Sequence, residues 1–591
     1  MSINYSCLRE KSVFLEAGFF TDRGGWVLDT QFIANMGSPY LLAHGLGVPV
    51  ADAGAETVFP DSGVYHVWTF TKDWVAPWKQ GASPGLFEIS VNGKRCGGIF
   101  GNEGAEWHWQ YGGMIEVTDV QAMVRIHDLT GFEGRCAAVF FTLEDITPPD
   151  DIHELADFRR AMTGNENNEA LGSFDIVVAG GGIAGICAAI SSARNGLSVA
   201  LVQDRPVVGG NNSPEVRVWL GGEICFEPYP KIGSIVAELE QETLAHYGSE
   251  STAEIYEDEK KLDLLLKEQN ISVFLNKAVI GAETENGAIK SIEALYTITG
   301  AVGVIKGTLF ADATGDGTLG DAAGADFEVT TNGHMGMTNV WYIEDTGALQ
   351  QFPSCPWAID LSGADFPGRK NIPSVYDQRR DVAFGGWYWE SGCEHDPIAK
   401  AEYARDTNFR AMYGAWDCVK NTDGDYKTYR LGNACYVGGK RESRRLLGDV
   451  ILTKSDVYKC KDFPDACVPS TWNFDVHYPD RRFYPAFHEG DGFLTIDYHE
   501  AFKTPYFIPY RCLYSRNVSN LFMAGRNVSV SHDALGTVRV MRTGGMMGEI
   551  VGHAAKICKK HAVLPRDVYE THLDEFLSSL RKVDTESDLI I

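Results

Sequence analysis

The stretch FDIVVAGGGIAGICAAI, from Phe174 to Ile190, constrains the fold of this chain more than any other. An apolar run ends at Ala179, glycines stand at Gly180, Gly182 and Gly185, and a run of small residues follows. That pattern is a buried strand entering a helix through a tight turn. Gly180 makes the turn, Gly182 lets the backbone approach a pyrophosphate, and Gly185 lets the helix pack close to the strand. The first N–H groups of the helix, at Ile183 and Ala184, and its dipole then face an anion. The helix is expected over Ile183 to Asn195, with Gly196 in the left-handed position that stops it. SVALVQ, Ser198 to Gln203, reads as a second parallel strand. A dinucleotide fold expects an acidic residue at its end for the ribose hydroxyls. Gln203 stands there instead, with Asp204 and Arg205 next to complete the contact.

Residues 1–148 have another texture. Segments such as GVYHVWTF, LFEISVNG and QAMVRIHDL alternate apolar and polar positions between turn residues, as in an all-β sandwich. VNGK, Val91 to Lys94, is an Asn-Gly hairpin signal. The stretch TPPDDIHELADFRRAMTGNENNEALGS, with two prolines, a short helix and an Asn/Glu/Gly-rich tail, reads as a linker over 149–172. The βαβ texture occupies 173–330, with helical segments at Ile235 to Tyr247 and Lys260 to Asn270. Residues 331–504, rich in Trp, Tyr, Arg and Asp, read as an inserted substrate-binding domain. The βα texture returns over 505–591 and closes with a helix from Pro565 to Arg581. The predicted class is therefore α/β and all-β multidomain: an N-terminal β-sandwich, then a Rossmann-like domain split by an insertion.

Composition narrows the partners. A chain of 591 residues exceeds what one core organises, and 44% hydrophobic content suits a globular protein. The net charge of −28 argues against nucleic acid and against an anionic membrane, both of which require clustered cations. No run of ~18 apolar residues occurs, and MSINYSCLREKSVF lacks the apolar core of a secretory signal. Thirteen cysteines without any CxxC pair read as reduced thiols, with neither a disulfide framework nor a metal site. A cytoplasmic protein is expected.

Three later segments decide which dinucleotide the turn serves. VVGGNNSPEVRVW, Val207 to Trp219, places Gly209, Gly210, Asn211 and Asn212 after the second strand, suiting an extended cofactor whose phosphates and ribityl chain pass a loop. LFADATGDGTLGDAAGA carries a strand to Asp312 and a small turn at Ala313, Thr314, Gly315 and Asp316. NLFMAGRNVSVSHDALGTVRVMRTGGMMGEIVGHAA ends a strand at Gly525 and Arg526 and starts a helix expected over Thr537 to Ala555. At these segments the sequence resembles the FAD-dependent oxidoreductases of the glutathione-reductase-like flavoprotein superfamily. Within it, the chain resembles the subgroup with an aromatic β-domain ahead of the flavin fold, met beside carbohydrate-degrading functions. The resemblance covers essentially the whole chain. It implies FAD with its pyrophosphate over Gly180, Gly182 and Gly185, and Gly209, Gly210 and Asn211 near the ribityl and isoalloxazine. It further implies Gly315 and Asp316 near the ADP half, and Gly525 and Arg526 near the phosphate and ribityl. Many relatives carry an Asp after the last of these glycines; Arg526 departs from that pattern, so the ribityl contact is not carried over. Reduced flavin is negative around N1 and the C2 carbonyl, where a helix N-terminus at Leu535, Gly536, Thr537 and Val538 is expected to point.

The insertion supplies substrate candidates. GGWYWESG sets aromatic residues beside Glu390, GGKRESRRLLGD groups Arg441, Arg444 and Arg445 around Glu442, and STWNFDVHYPD offers Asp475 and His477. Aromatic faces with carboxylates suit a sugar ring. Oxidising a C–H bond beside oxygen needs a hydride acceptor and a base, so His532 and His477 are candidate bases, with His334 a third, and Glu390 and Arg441 position hydroxyls. The leading expectation is a dehydrogenase or oxidase of a carbohydrate-like or polyol substrate, passing electrons to oxygen, a quinone or a redox protein. The rivals are a succinate-dehydrogenase-like flavoprotein acting on a carboxylate and a carbohydrate-binding protein with a vestigial flavin fold. Homo-oligomerisation and a covalent histidyl flavin link stay open.

Overall fold

The structure is a computed structural model, and it describes residues 5–243, 245, 248–369, 380–480 and 492–581. The expected helix Ile235 to Tyr247 is a shorter one, Ser234–Leu239, and Tyr247 lies outside the described residues.

The N-terminal region is built from two four-stranded antiparallel sheets and a three-stranded one of Gly134–Cys136, Tyr40–Ala43 and Val27–Asp29. One four-stranded sheet has the order Ser12–Glu16, Ala138–Thr142, Gly63–Thr71, His108–Val117; the other Ala53–Val58, Gln121–Asp128, Phe87–Val91, Lys94–Phe100. Alternation decides what faces inward. Along Gln121–Asp128 every second residue is buried, and Val124 and Ile126 meet Phe87 and Ile89 from their own sheet and Val67, Val139 and Phe141 from the other. Each such side chain stabilises the pair of sheets by roughly 1.5–3 kcal/mol. Asn92 and Gly93, both with positive φ, turn the hairpin between Phe87–Val91 and Lys94–Phe100.

The segment read as a linker is more ordered than that. Asp151 caps a helix, Ile152–Thr163, by accepting from His153 and Glu154 N–H, and Gly164 ends it in the left-handed region. Its Leu155, Phe158 and Met162 pack on Phe14, Trp109 and Phe140 of the β-region. Tail residues from Glu169 onward extend the first strand of the next sheet, Glu169–Ala179. The polar composition concealed both contacts, because it describes only the outer faces.

The central sheet has seven strands. Its parallel part runs Ile271–Phe274, Val199–Val202, Glu169–Ala179, Val302–Asp312, Leu521–Met523, the doubly wound order 3-2-1-4-5. Val302–Asp312 changes partner half-way: residues 302–306 pair with the hairpin strand Ala288–Tyr296, and residues 310–312 with Leu521–Met523. Strand order reverses between Glu169–Ala179 and Val302–Asp312, which opens the crevice where such folds bind ligands. The helix Ile183–Arg194 packs on the 21-residue helix Met541–His561, and a Cβ at Gly548 would run into the Ala184 carbonyl. Pro565–Arg581 is the closing helix.

Between the two halves of this sheet lies the region 331–504. Its helix Ala401–Asp417 is almost wholly buried, sharing one core of Trp341, Trp357, Trp389 and Trp416 with Trp74 and Phe132 from the N-terminal region. The seam carries buried charges. Arg135 donates to Glu402 at 2.7 Å and to both oxygens of Asp406, and Arg405 donates to Asp29 at 2.9 Å and to Tyr40. All thirteen cysteines are free thiols, as expected.

Candidate active site

One large cavity, about 710 Å³, opens at the reversal of strand order. Of the residues singled out for a cofactor, Gly180, Gly182, Ile183, Ala184, Gln203, Asp204, Arg205, Gly209, Gly210 and Asn211 line it, together with Ala313, Thr314, Gly315, Asp316, Gly525 and Arg526. Segments up to 346 residues apart in sequence meet here because the parallel strands all end at this edge.

The lining fits a dinucleotide. Gly180 has φ +101°, and a Cβ there would strike the Ala313 carbonyl across the crevice. Gly185 does not face the cavity; a Cβ on it would strike the Gly180 carbonyl, so its role is the close packing of turn and helix. Gly182 differs from both. Its φ is −72°, and a Cβ would meet nothing nearer than Gly210 Cα at 3.8 Å, so the absent side chain is cavity space. Gly182 is also the N-cap of Ile183–Arg194 and makes no side-chain cap, which leaves the first N–H groups of that helix open to an anion. Gly209 N–H donates to the Gly181 carbonyl at 2.8 Å, so the second glycine loop lies against the first.

Three groups of residues expected at the cofactor are held by other contacts. Gln203 is buried and fully engaged: its Oε1 accepts from Gly181 N–H at 2.7 Å and its Nε2 donates to the Val207 carbonyl at 3.1 Å. It braces the two loops at the cavity wall, where Asp204 and Arg205 stand beside it. Asn212 is turned away, with its amide donating to the Val218 carbonyl and Gln241. Gly536, Thr537 and Val538 lie off the cavity, within a seven-residue helix, His532–Val538. The expected single helix is broken at Val540, whose extended backbone (φ −66°, ψ 146°) ends one helix and starts Met541–His561. Arg539, Met541 and Gly544, at that break, reach the cavity in their place.

The substrate candidates form buried networks. Glu390 accepts from Gly336 N–H, from Thr495 Oγ1 at 2.8 Å and from His477 Nδ1 at 2.7 Å, with Arg441 at 3.3 Å. Burial alone would raise its carboxyl; Arg441 and His477 more than reverse that and hold it at about 2. Arg441 donates to Thr338 Oγ1 and the Trp387 carbonyl and lies over the Trp387 ring. His477 stacks on Tyr388, and its other nitrogen is 3.1 Å from Asp475. None of Glu390, Arg441 and His477 lines the cavity. Their polar atoms are taken up by one another and by neighbouring groups, Arg441 lies over Trp387, and Tyr388 stacks on His477, so this packing gives no support to a sugar-positioning role or to His477 as a base.

Two further arrangements adjoin the cavity through its lining residues Asp316, Arg526, Lys440 and Arg444; Glu442 and His532 themselves do not line it. Asp316 receives both Lys440 and Arg526 at 2.6 Å; burial opposes its charge, yet the two cations hold its carboxyl well below the usual range. Arg526 is thereby turned over Gly315. Next in sequence, Glu442 is buried, accepts from Arg445 and Met335 N–H, and grips His532 Nδ1 at 2.8 Å. His532 is 23% exposed, and its Nε2 makes no hydrogen bond among the described residues. Lys440 and Arg444, flanking Glu442, line the cavity. His334 is buried behind Glu442 with Nδ1 unpartnered, and burial lowers its pKa. Arg539, which sequence reasoning missed, lines the cavity while donating to Asp475 at 3.1 Å. Its only sequence signal is its place just after the HDALG run.

Comparison with known proteins agrees with this geometry. The family model described as FAD dependent oxidoreductase matches residues 175–580. The chain belongs to the FAD-dependent oxidoreductase family. As a member it is an oxidoreductase with FAD as cofactor, and the lining described above fits that group. No match was found among curated proteins. Similar solved structures include a geranylgeranyl bacteriochlorophyll reductase-like protein of Thermoplasma acidophilum, at 10% identity, covering 69% of this chain and 83% of that one, with TM-score 0.31. Another is the E. coli quinol fumarate reductase FrdA, at 10% identity, covering 70% and 75%, with TM-score 0.31. A third is Sdh1 of Mycobacterium smegmatis, at 14% identity, covering 65% and 68%, with TM-score 0.29. Likeness at these scores says nothing about the substrate. Among the described residues no helix is long and apolar enough to cross a membrane. One group there could hold a metal ion, His561, His572 and Glu575, but Glu575 is already paired with Lys560 and His561.

Proposed function

We propose that this FAD-dependent oxidoreductase acts on a small anionic molecule, a carboxylate, with His532 as the proton-handling group. The observation that carries the reading is the cationic lining of the cavity, which the His532–Glu442 pair adjoins through Lys440 and Arg444, the lining residues two positions either side of Glu442. In a chain of net charge −28, the lining holds eight Lys and Arg residues against four Asp and Glu. The pyrophosphate accounts for part of that excess, and an anionic substrate for the rest.

Bound FAD supplies a two-electron acceptor for hydride. The chain does the remainder. Glu442 fixes the ring of His532 through Nδ1–H and stabilises the positive charge it gains, so that Nε2 takes the substrate proton. Arg445, on the far side of Glu442, keeps that carboxylate ionised: burial opposes its charge, but His532 and Arg445 lower its pKa. Arg539, Lys440 and Arg444 offer N–H donors for a carboxylate at the same end, with Asp475 and Asp316 holding the first two in place. Residues 1–148 and 331–504, read as a β-sandwich and a substrate domain, close the site from outside the central sheet.

The polyol reading loses its support once Glu390, Arg441, Trp387 and Tyr388 are engaged with other residues. The test is an anaerobic titration of the yellow holoprotein with a panel of 2-hydroxy acids, saturated dicarboxylates and uncharged sugars. Bleaching by carboxylates and not by sugars is expected. Bleaching by sugars or polyols alone would return the earlier reading.

A further inference from the structure

The matched family stretch begins at residue 175, yet the cavity does not end with it. Two segments of the first 163 residues form part of its wall: Thr30–Pro39 and one face of the helix Ile152–Thr163. We propose that the N-terminal region is a structural part of the FAD site, so that cofactor retention depends on residues the family fold does not contain. The inference rests on the reading that FAD occupies this cavity.

Spacing carries the first part of the case. Ile152, Ala156, Arg159 and Thr163 recur at three- and four-residue steps and all line the cavity, whereas Leu155, Phe158 and Met162 on the adjoining face enter the β-region core. The helix thus has one face packed and one face turned to the cofactor space. Bonds across the cavity carry the second part. Ile33 packs on Ala278, Leu295 and Val302, the hairpin side of the central sheet. Gln31 donates to the Tyr436 carbonyl at 3.1 Å and accepts from Gly438 N–H at 2.8 Å, and Asn35 donates to the Ile398 carbonyl at 3.0 Å. Ile398, Val437 and Gly438 line the same cavity. The segment 30–39 is therefore strapped to the sheet at one side and to the region 331–504 at the other. A third attachment, Asn165 Nδ2 to the Thr299 carbonyl at 2.8 Å, ties the hairpin turn to the end of the helix. A cofactor lying on the Gly180 turn is then enclosed by a wall that moves only if these bonds break.

Two changes in the full-length protein separate this from a merely stabilising role. Ala156 is exposed, so Ala156→Trp costs the fold little but fills the space beside the helix. The double change Gln31→Ala with Asn35→Ala loosens the strap without touching the sheet. Each protein is stripped of FAD and titrated by flavin fluorescence, with thermal melting of the apo form alongside. Weakening of FAD binding by on the order of tenfold or more, with apo melting near the parent value, is expected. Hydrogen exchange over 30–39 is expected to slow on FAD addition in the parent. Binding within twofold of the parent in both variants, with exchange over 30–39 unchanged by FAD, would overturn the proposal. A parent protein that binds no FAD would instead overturn the cavity assignment itself.

Discussion

Two of the buried charge clusters in this protein are finished differently. At the seam between the β-region and the helix Ala401–Asp417, Arg135 and Arg405 are bracketed by Asp29, Glu402 and Asp406, and Lys72 reaches Glu402 as well. Nearer the cavity, Glu442 holds one nitrogen of His532, whose other nitrogen makes no hydrogen bond among the described residues, and Arg539 is gripped on one side while lining open space. A charge cluster closed on itself fixes how two regions sit together. A cluster with one open valence is what proton transfer and anion binding need. Sequence shows both as runs of Arg and Glu; only the geometry separates them.

The comparison breaks first at the seam. Arg135→Met leaves Asp406 and Glu402 buried without their main partner, and a loss of about 3–5 kcal/mol in unfolding free energy is expected by urea denaturation. A loss below about 1 kcal/mol would mean the seam is not what joins the regions. At the cavity the sign of the experiment changes. His532→Asn should lower turnover by roughly 10²–10⁴-fold while leaving urea stability within about 0.5 kcal/mol. Turnover within tenfold of the parent would remove His532 from the chemistry.

A smaller effect sharpens the contrast through pH. Burial would raise the Glu402 carboxyl, but Lys72, Arg135 and Arg405 overcome it and hold it at about 2. A carboxylate whose pKa falls on folding adds stability above its unfolded value near 4.5, and that stability is lost as pH drops from there through about 2. The contribution is about 3 kcal/mol. Glu402→Gln should therefore flatten the acid limb of stability between about pH 4.5 and about pH 2. An acid limb as steep as the parent's would show that Glu402 titrates normally in the fold.

How much of this was legible in the sequence follows from how local each feature is. The Gly180 turn, Gly196 beyond its helix and the Asn92-Gly93 hairpin were readable because backbone sterics at a few adjacent residues decide them. The cofactor loops were readable because each follows a strand that must end at the same edge. The bracing contacts of Gln203 were not readable because its partners, Gly181 N–H and the Val207 carbonyl, depend on how two loops fold back. Glu390 and His477, 87 residues apart, became partners only through packing, and a run of aromatics beside a carboxylate looks the same whether it faces a ligand or a histidine. The break at Val540 escaped because the stretch favours helix on both sides of it. The cavity wall at 30–39 carries no motif at all.

The account's central claim is that FAD lies in the cavity over the Gly180 turn. Gly182→Leu tests it most directly, because φ at this position suits any residue and an added Cβ meets no protein atom nearer than Gly210 Cα at 3.8 Å. The measurement is the ratio of flavin to protein absorbance after gel filtration, with thermal melting to confirm the fold. A folded but colourless protein is predicted. A folded protein that keeps its flavin in full would place the cofactor elsewhere and contradict the account.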